Sequence, residues 1–332
     1  MYPYHTVIIQ KGSNEMNKSS DLRLDPKRKQ SVLKEILKNR SYYIMALPGI
    51  LALICFAYIP YYYMQVAFKD FNFVDGLAKS PWVGFKNFKY FFESGDALKV
   101  TGNTLILNTY FMVAGLISSV ALAIFVNEIP GKKFRKITQT MYFFPYFLSW
   151  VIIGEIIYNI FSSDFGVMNN ILSSLGLAEV AWYRHPEYWR SILVLSNIWK
   201  GTGYGSLIYL STMAGFDASL YEAAEVDGAN KLQKIFRLTI PMLKPTMIVL
   251  TLFSIGRIFF GDFSMILAVI KGPTMEFVKV IDIYVYNMFK TVGSVGLGNV
   301  VAIGLYQSVF GFIVIVVTNK LAKRFNDGSA LF

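Results

Sequence analysis

Tyr221-Glu222-Ala223-Ala224-Glu225-Val226-Asp227-Gly228-Ala229, closed by Leu238-Thr239-Ile240-Pro241, is a polar, amphipathic stretch set between two long apolar segments. It reads as a short helix, a glycine break, a second short helix, and a proline that ends the unit before the apolar chain resumes. Phe216, Leu220, Ala223 and Ala224 recur at i, i+4, i+7 and i+8, which marks one helical face. The alanines let another surface approach closely. Glu222, Glu225 and Asp227 offer acidic points to Arg or Lys on that surface. Asp217 or Ser219 can cap the first helix, and Gly228 gives the chain a permissive joint.

The flanks define the solvent. Of 332 residues, 54% are hydrophobic and 16% charged, against about 25% charged in a soluble domain. About 20 apolar residues of helix cross the hydrocarbon of a bilayer, where each segment must satisfy its own backbone. The pattern therefore predicts an all-α polytopic membrane protein. Six spans are expected, roughly at 43–67, 104–126, 140–161, 192–210, 246–270 and 300–318. Pro48, Pro60 and Pro145 fall within or near span ends, where neighbouring helices tolerate a break.

Lys and Arg orient the spans. The tail through Arg40, the 127–138 loop, the 211–245 loop and the tail after the sixth span hold twenty of them, and the opposite loops hold ten. Both termini and the Glu-Ala-Ala stretch are expected in the cytoplasm. The net charge of +11 reflects this bias and is no argument for nucleic acid. Cys55 stands alone, so no intrachain disulfide can form. The two histidines belong to no metal-ligand cluster, and no Gly-x-x-x-x-Gly-Lys-Ser/Thr loop is present to hold ATP. The chain is expected to bind no metal or cofactor and to catalyse nothing.

The Glu-Ala-Ala stretch resembles the loop of permease subunits of binding-protein-dependent ABC importers. There the pattern is Glu-Ala-Ala, three residues, Gly, nine residues, then Ile-x-Leu-Pro. Gly228 and Pro241 fall in register, with Leu238 and Ile240 in place of Ile and Leu. Trp82-Val83-Gly84-Phe85-Lys86-Asn87-Phe88 resembles the Trp-Val-Gly-Leu-x-Asn-Phe signature of the sugar-type members. Tyr58-Ile59-Pro60 and Trp199-Lys200-Gly201 resemble the polysaccharide branch. The likeness runs from Lys34 to Arg324. It implies a type I importer permease of the maltose-type superfamily in the bacterial cytoplasmic (inner) membrane, with spans two to six as the core. It also implies that Glu222, Ala223, Ala224, Asp227, Gly228 and Pro241 form a coupling element seated on an ATPase. Implied partners are a second homologous permease, two ATPase subunits that use ATP and Mg, an extracytoplasmic solute-binding protein, and an oligosaccharide.

The implied organisation is a basic cytoplasmic tail and interfacial helix over 1–41, a six-helix permease domain over 42–325 with its coupling loop at 215–242, and a C-terminal tail over 326–332. Lys27–Arg40 carries Val32, Leu33, Ile36 and Leu37 on one face, which suits an anionic leaflet; the alternative is a solvated tail that only fixes topology. Met16 reads as a native start, which would make 1–15 an upstream extension. The segment 277–290 has helical spacing and is expected across the outer mouth.

Lys200 and Arg257 fall inside expected spans, where a central charge costs about 2.5–3.5 kcal/mol. Asn197, Lys200 and Tyr204 share one helical face, and Ser254, Arg257 and Gly261 share another. In resembled maltose-type permeases the sugar pocket lies on the helices that flank the loop. Carried over by distance from Glu222, the pocket positions are Trp199, Gly201 and Tyr204, then Ser254, Arg257, Ile258 and Gly261. Two cations there suit a uronate-containing sugar derived from a polysaccharide such as alginate or pectin. The alternatives are a neutral oligosaccharide, another solute, and purely structural cations, with Lys200 pairing to Asp262. Glu155 is a further charge in a span and a possible partner for a cation. A secondary transporter is disfavoured by the loop, and an enzyme by the missing nucleophile–base or metal constellation.

The charge count generates a topology test. A reporter fused after Phe134 or Lys234 should report the cytoplasm, and one after Asn87 or Glu187 the outside. An outside signal at Lys234 would overturn the topology and the docking role together.

Overall fold

The computed structural model describes residues 37–272, 275–292 and 296–325. Residues 1–15, the tail 326–332 and nearly all of the expected interfacial helix lie outside these. The chain divides into two compact units, Met1–Tyr62 and Tyr63–Phe332. Among the described residues the secondary structure is helical, apart from an isolated antiparallel bridge between Lys69 and Trp82.

Among the described residues four helices are long and apolar enough to cross a membrane: α1 (Arg40–Phe68), α2 (Asp96–Glu128), α7 (Lys231–Ile255) and a stretch of α10, Leu297–Lys320. A fifth span results if α3 (Lys132–Phe147) and α4 (Trp150–Phe161), bent by 95° at their junction, count as one. The expected fourth span is the helix α5 (Trp189–Met213). It carries Asn197, Lys200 and three glycines and falls below that apolar threshold. The remaining elements used below are α6 (Ala218–Val226), α8 (Phe263–Val269), α9 (Ile281–Val292) and the whole of α10 (Leu297–Phe325).

Three expectations need correction. The expected third span is not straight, because Pro145 lies in a 3-10 turn, Phe144–Phe147, and the chain turns at Leu148 before Ser149 caps α4. The expected fifth span does not run from 246 to 270. Its helix ends at Ile255, and a non-helical segment over 256–262 leads to α8. Nor does Pro241 end the docking unit. The chain runs as one helix from Lys231 through Pro241 to Ile255. A proline ring clashes with the carbonyl four residues back in an α-helix. Here that carbonyl, on Arg237, lies in a π-turn, Ile235–Thr239, in which the Ile240 N–H reaches back to the Ile235 carbonyl. Pro60 is accommodated in the same way by the π-turn Ile54–Tyr58.

The unit from Tyr63 onward packs around three apolar clusters. Leu107, Ile153, Leu193, Ile266 and Ile283 join α2, α4, α5, α8 and α9. Phe91, Val100, Phe259, Tyr284 and Ile303 form the second. Val120, Ala123, Tyr209 and Leu243 bind α2 and α5 to α7. The tryptophan motif fastens the chain after α1. Asn87 Nδ2 donates to the carbonyls of Ala67 and Lys69, each at 2.9 Å, and the Lys69 ammonium lies 5.1 Å from the centre of the Trp82 ring.

Candidate functional site

The break after Ile255 shapes a cavity. Two adjoining spaces of about 400 and 590 Å³ lie between α2, α5, α7 and the 256–262 segment, and Asn197, Ser254 and Arg257 line both. Gly201 lines the first, while Gly261 and Asp262 line the second. Six of the nine expected pathway residues therefore converge. Asp262 also caps α8, accepting from the Met265 N–H at 3.0 Å. Ser254 donates to the Leu250 carbonyl at 3.0 Å. Arg257 forms no ion pair among the described residues. Its guanidinium lines a space, not a salt bridge.

The break is held from outside. Asn108 Nδ2 on α2 donates to the carbonyls of Ile258 and Phe260 at 2.7 and 3.0 Å. Gln307 Nε2 on α10 donates to Phe259 at 2.6 Å. Asp282 Oδ2 on α9 accepts from the Gly261 N–H at 2.6 Å and from Gln307 Nε2 at 3.2 Å. A side chain at Gly261 would place its Cβ 2.7 Å from Val280 Cγ2 and 2.9 Å from Asp282 Oδ2, so only glycine permits this approach.

The other three expected pathway residues lie elsewhere. The Lys200 ammonium donates to the carbonyl of Tyr146, at 2.8 Å, and to that of Leu148. It thus serves the exposed backbone of the α3–α4 bend, and it does not pair with Asp262. Tyr204 stacks on Tyr146 with ring centres 4.3 Å apart and planes 7° apart. Trp199 is exposed and lines neither space. Ile258 contributes its carbonyl, not a pocket wall. Glu155 pairs with Lys271 at 3.1 Å. Sequence reading missed Asn108, Gln307 and Asp282. Carboxamides isolated in apolar spans were the available signal.

The loop folds as its residues dictate. Asp217 caps α6, accepting from the Ser219 N–H at 2.9 Å, and that bond holds its carboxyl below the usual range. Gly228 turns the chain at φ +77°, a conformation side chains resist. Asn230 and Gln233 then form a reciprocal capping box that opens α7. Two contacts clasp α6 to α7 across the glycine: Lys234 to Glu225, and Tyr221 Oη to Thr239 Oγ1 at 3.0 Å. The hydrogen bond from Lys234 lowers the Glu225 pKa. The pair's contribution is thus complete above the ordinary carboxylate range and is lost only as pH falls through the lowered value. Ala224, Asp227 and Gly228 line a notch with Arg237, while Glu222, Ala223 and Pro241 are exposed.

Residues 115–327 match the family described as binding-protein-dependent transport system inner membrane components. The chain belongs to this family. It is a permease of a binding-protein-dependent ABC importer, a transport component and not an enzyme. Among its relatives is the polygalacturonan/rhamnogalacturonan transport system permease protein YteP of Bacillus subtilis (strain 168), 29% identical over 91% of this chain and 93% of that one. A solved bacterial ABC transporter involved in the import of the acidic polysaccharide alginate contains a chain similar at TM-score 0.81 and 32% identity, over 89% of this permease and 99% of that chain. A second structure, of a bacterial alginate ABC transporter in complex with an alginate pentasaccharide-bound periplasmic protein, matches at TM-score 0.79 and 32% identity, over 88% and 97%.

The position of Lys200 generates a test. Lys200→Met removes the donor from two carbonyls and should lower the stability of the purified complex by on the order of 1–2 kcal/mol, read as a fall in Tm. The ratio of acidic to neutral sugar uptake should not move. A changed ratio would return Lys200 to the pathway.

Proposed function

We propose that this permease is one half of the membrane pathway of an ATP-driven importer of acidic, uronate-containing oligosaccharides. Arg257 carries the reading. It is a cation on the wall of a cavity among apolar helices, with no carboxylate paired to it among the described residues. Charged groups within membrane segments normally face a pathway or a partner. A guanidinium can grip a carboxylate with two parallel hydrogen bonds, and Asn197 and Ser254 stand beside it for sugar hydroxyls. The pectin-type relative and the alginate importer support the same class. A neutral oligosaccharide is the second reading. Phe111 and Phe260 line the cavity, and their faces can stack on sugar rings of either kind.

In this reading the chain crosses the inner membrane six times, with α5 as a span despite its polar residues, and keeps both termini in the cytoplasm. The implied domain limits at 42–325 and 215–242 stand as part of it. A second permease completes the pathway, and a solute-binding protein delivers the sugar outside. Two ATPase subunits, which use ATP and Mg, seat the α6 face bearing Glu222, Ala223 and Ala224. The chain itself holds no cofactor or metal.

Two tests follow. Glu222→Lys opposes a basic partner, and Gly228→Pro cannot adopt φ +77°. Both should leave the complex in the membrane but abolish ATPase stimulation by the loaded binding protein; wild-type stimulation in both would sink the coupling role. For the substrate, uptake of galacturonate or alginate oligomers and of their neutral counterparts is measured in reconstituted complex. Arg257→Gln should raise KM for the acidic oligomers about tenfold or more, the loss of a charge-assisted bond, and leave neutral sugars little changed. Equal loss for both would make Arg257 structural, and wild-type preference for neutral sugars would end the acidic reading.

A further inference from the structure

The backbone from Ile258 to Gly261 is bonded, residue by residue, to side chains of three other elements. Asn108 on α2 takes the carbonyls of Ile258 and Phe260, Gln307 on α10 takes Phe259, and Asp282 on α9 takes the Gly261 N–H. Gln307 and Asp282 also bond to each other. Arg257 is the residue immediately before this run, and its own N–H reaches back to the Ser254 carbonyl at 3.1 Å. Its Cα is thus fixed between the last turn of α7 and a clasped segment. Asn108 lines the same space as Arg257.

The extent of the clasp exceeds what ending a helix requires. A helix can end with a capping residue and a turn, as α7 does with the bond from the Gly256 N–H to the Leu252 carbonyl. Here the residues beyond it continue as tight turns, with the Ile258 and Phe260 N–H groups bonded to the Ile255 and Arg257 carbonyls, and side chains of three other elements grip them in addition. A site built on irregular backbone is imprecise unless surrounding groups lock it. We propose that Asn108, Gln307 and Asp282 are positioning residues, which aim the Arg257 guanidinium into the cavity and so set affinity for the substrate's carboxylate. This inference rests on the reading of Arg257 as a substrate contact.

The experiment is a double-mutant comparison in the reconstituted complex of both permeases, ATPases and binding protein, with an oligogalacturonate as the transported probe. KM and maximal uptake rate are measured for Asn108→Leu, Gln307→Met, Arg257→Gln, and each of the first two combined with Arg257→Gln. Asn108→Leu and Gln307→Met should each raise KM several-fold with a smaller change in maximal rate. Neither should raise it further once Arg257 is Gln, because a device that acts through the guanidinium has nothing left to aim. Equal fold-changes in both backgrounds would overturn the inference and leave Arg257 as a contact. No KM change in Arg257→Gln alone would overturn the substrate reading, and this inference with it. Failure of both clasp variants to assemble with their partners would make the clasp a folding requirement and overturn the inference as well.

Discussion

Backbone polar groups inside hydrocarbon must find partners within the protein, and each departure from regular helix in this permease is shaped by that demand. The departures are met by different means. At Pro60 and Pro241 the helix absorbs the ring with a π-turn and continues. At the bend between α3 and α4 a lysine from α5 reaches two freed carbonyls. After Ile255 the helix stops, and carboxamides and a carboxylate from α2, α9 and α10 take up the loose ends.

That demand divides the polar residues of the spans into two kinds. Lys200, Asn108 and Gln307 each donate to backbone carbonyls. Among the described residues the Arg257 side chain makes no such bond to backbone. It stands in the turn after α7 on the wall of the cavity, with no ion pair among the described residues. The functional argument therefore narrows from two cations to one. The same partition explains why the charge of Lys200 alone was a poor guide: a cation among helices is as readily a donor to carbonyls as a ligand for an anion.

Much of the architecture was legible because its signals are local or cumulative. Apolar runs marked most spans, and the residues around Glu222 marked a short helix with its cap at Asp217 and its turn at Gly228. The breaks were not legible. Between 246 and 270 the sequence is apolar but for Arg257, Asp262 and a few hydroxyls, and Gly256 and Gly261 are ordinary in membrane helices. The residues after the break are held by partners at positions 108, 282 and 307, and a window of neighbouring residues cannot see them. The faces read from regular helical spacing put Asn197 and Ser254 on the cavity. The bend of another span draws Lys200 and Tyr204 away from it.

The continuity of α7 changes how the two ends of the permease are related. Had Pro241 ended the loop, a break in the helix would separate it from the cavity. Instead one helix of 25 residues begins beside the clasp of Lys234 and Glu225 and ends two residues before Arg257. At about 1.5 Å per residue it spans roughly 37 Å, which is more than the hydrocarbon thickness. The π-turn at Ile235–Thr239 lies at its docking end, tied to α6 through Tyr221 and Thr239. α6 is thus tied to the start of a single helix, while the segment at the far end of that helix is held to three neighbours. The non-helical residues 256–262 are therefore the join between α7 and those neighbours, and Arg257 stands in that join with no ion pair among the described residues.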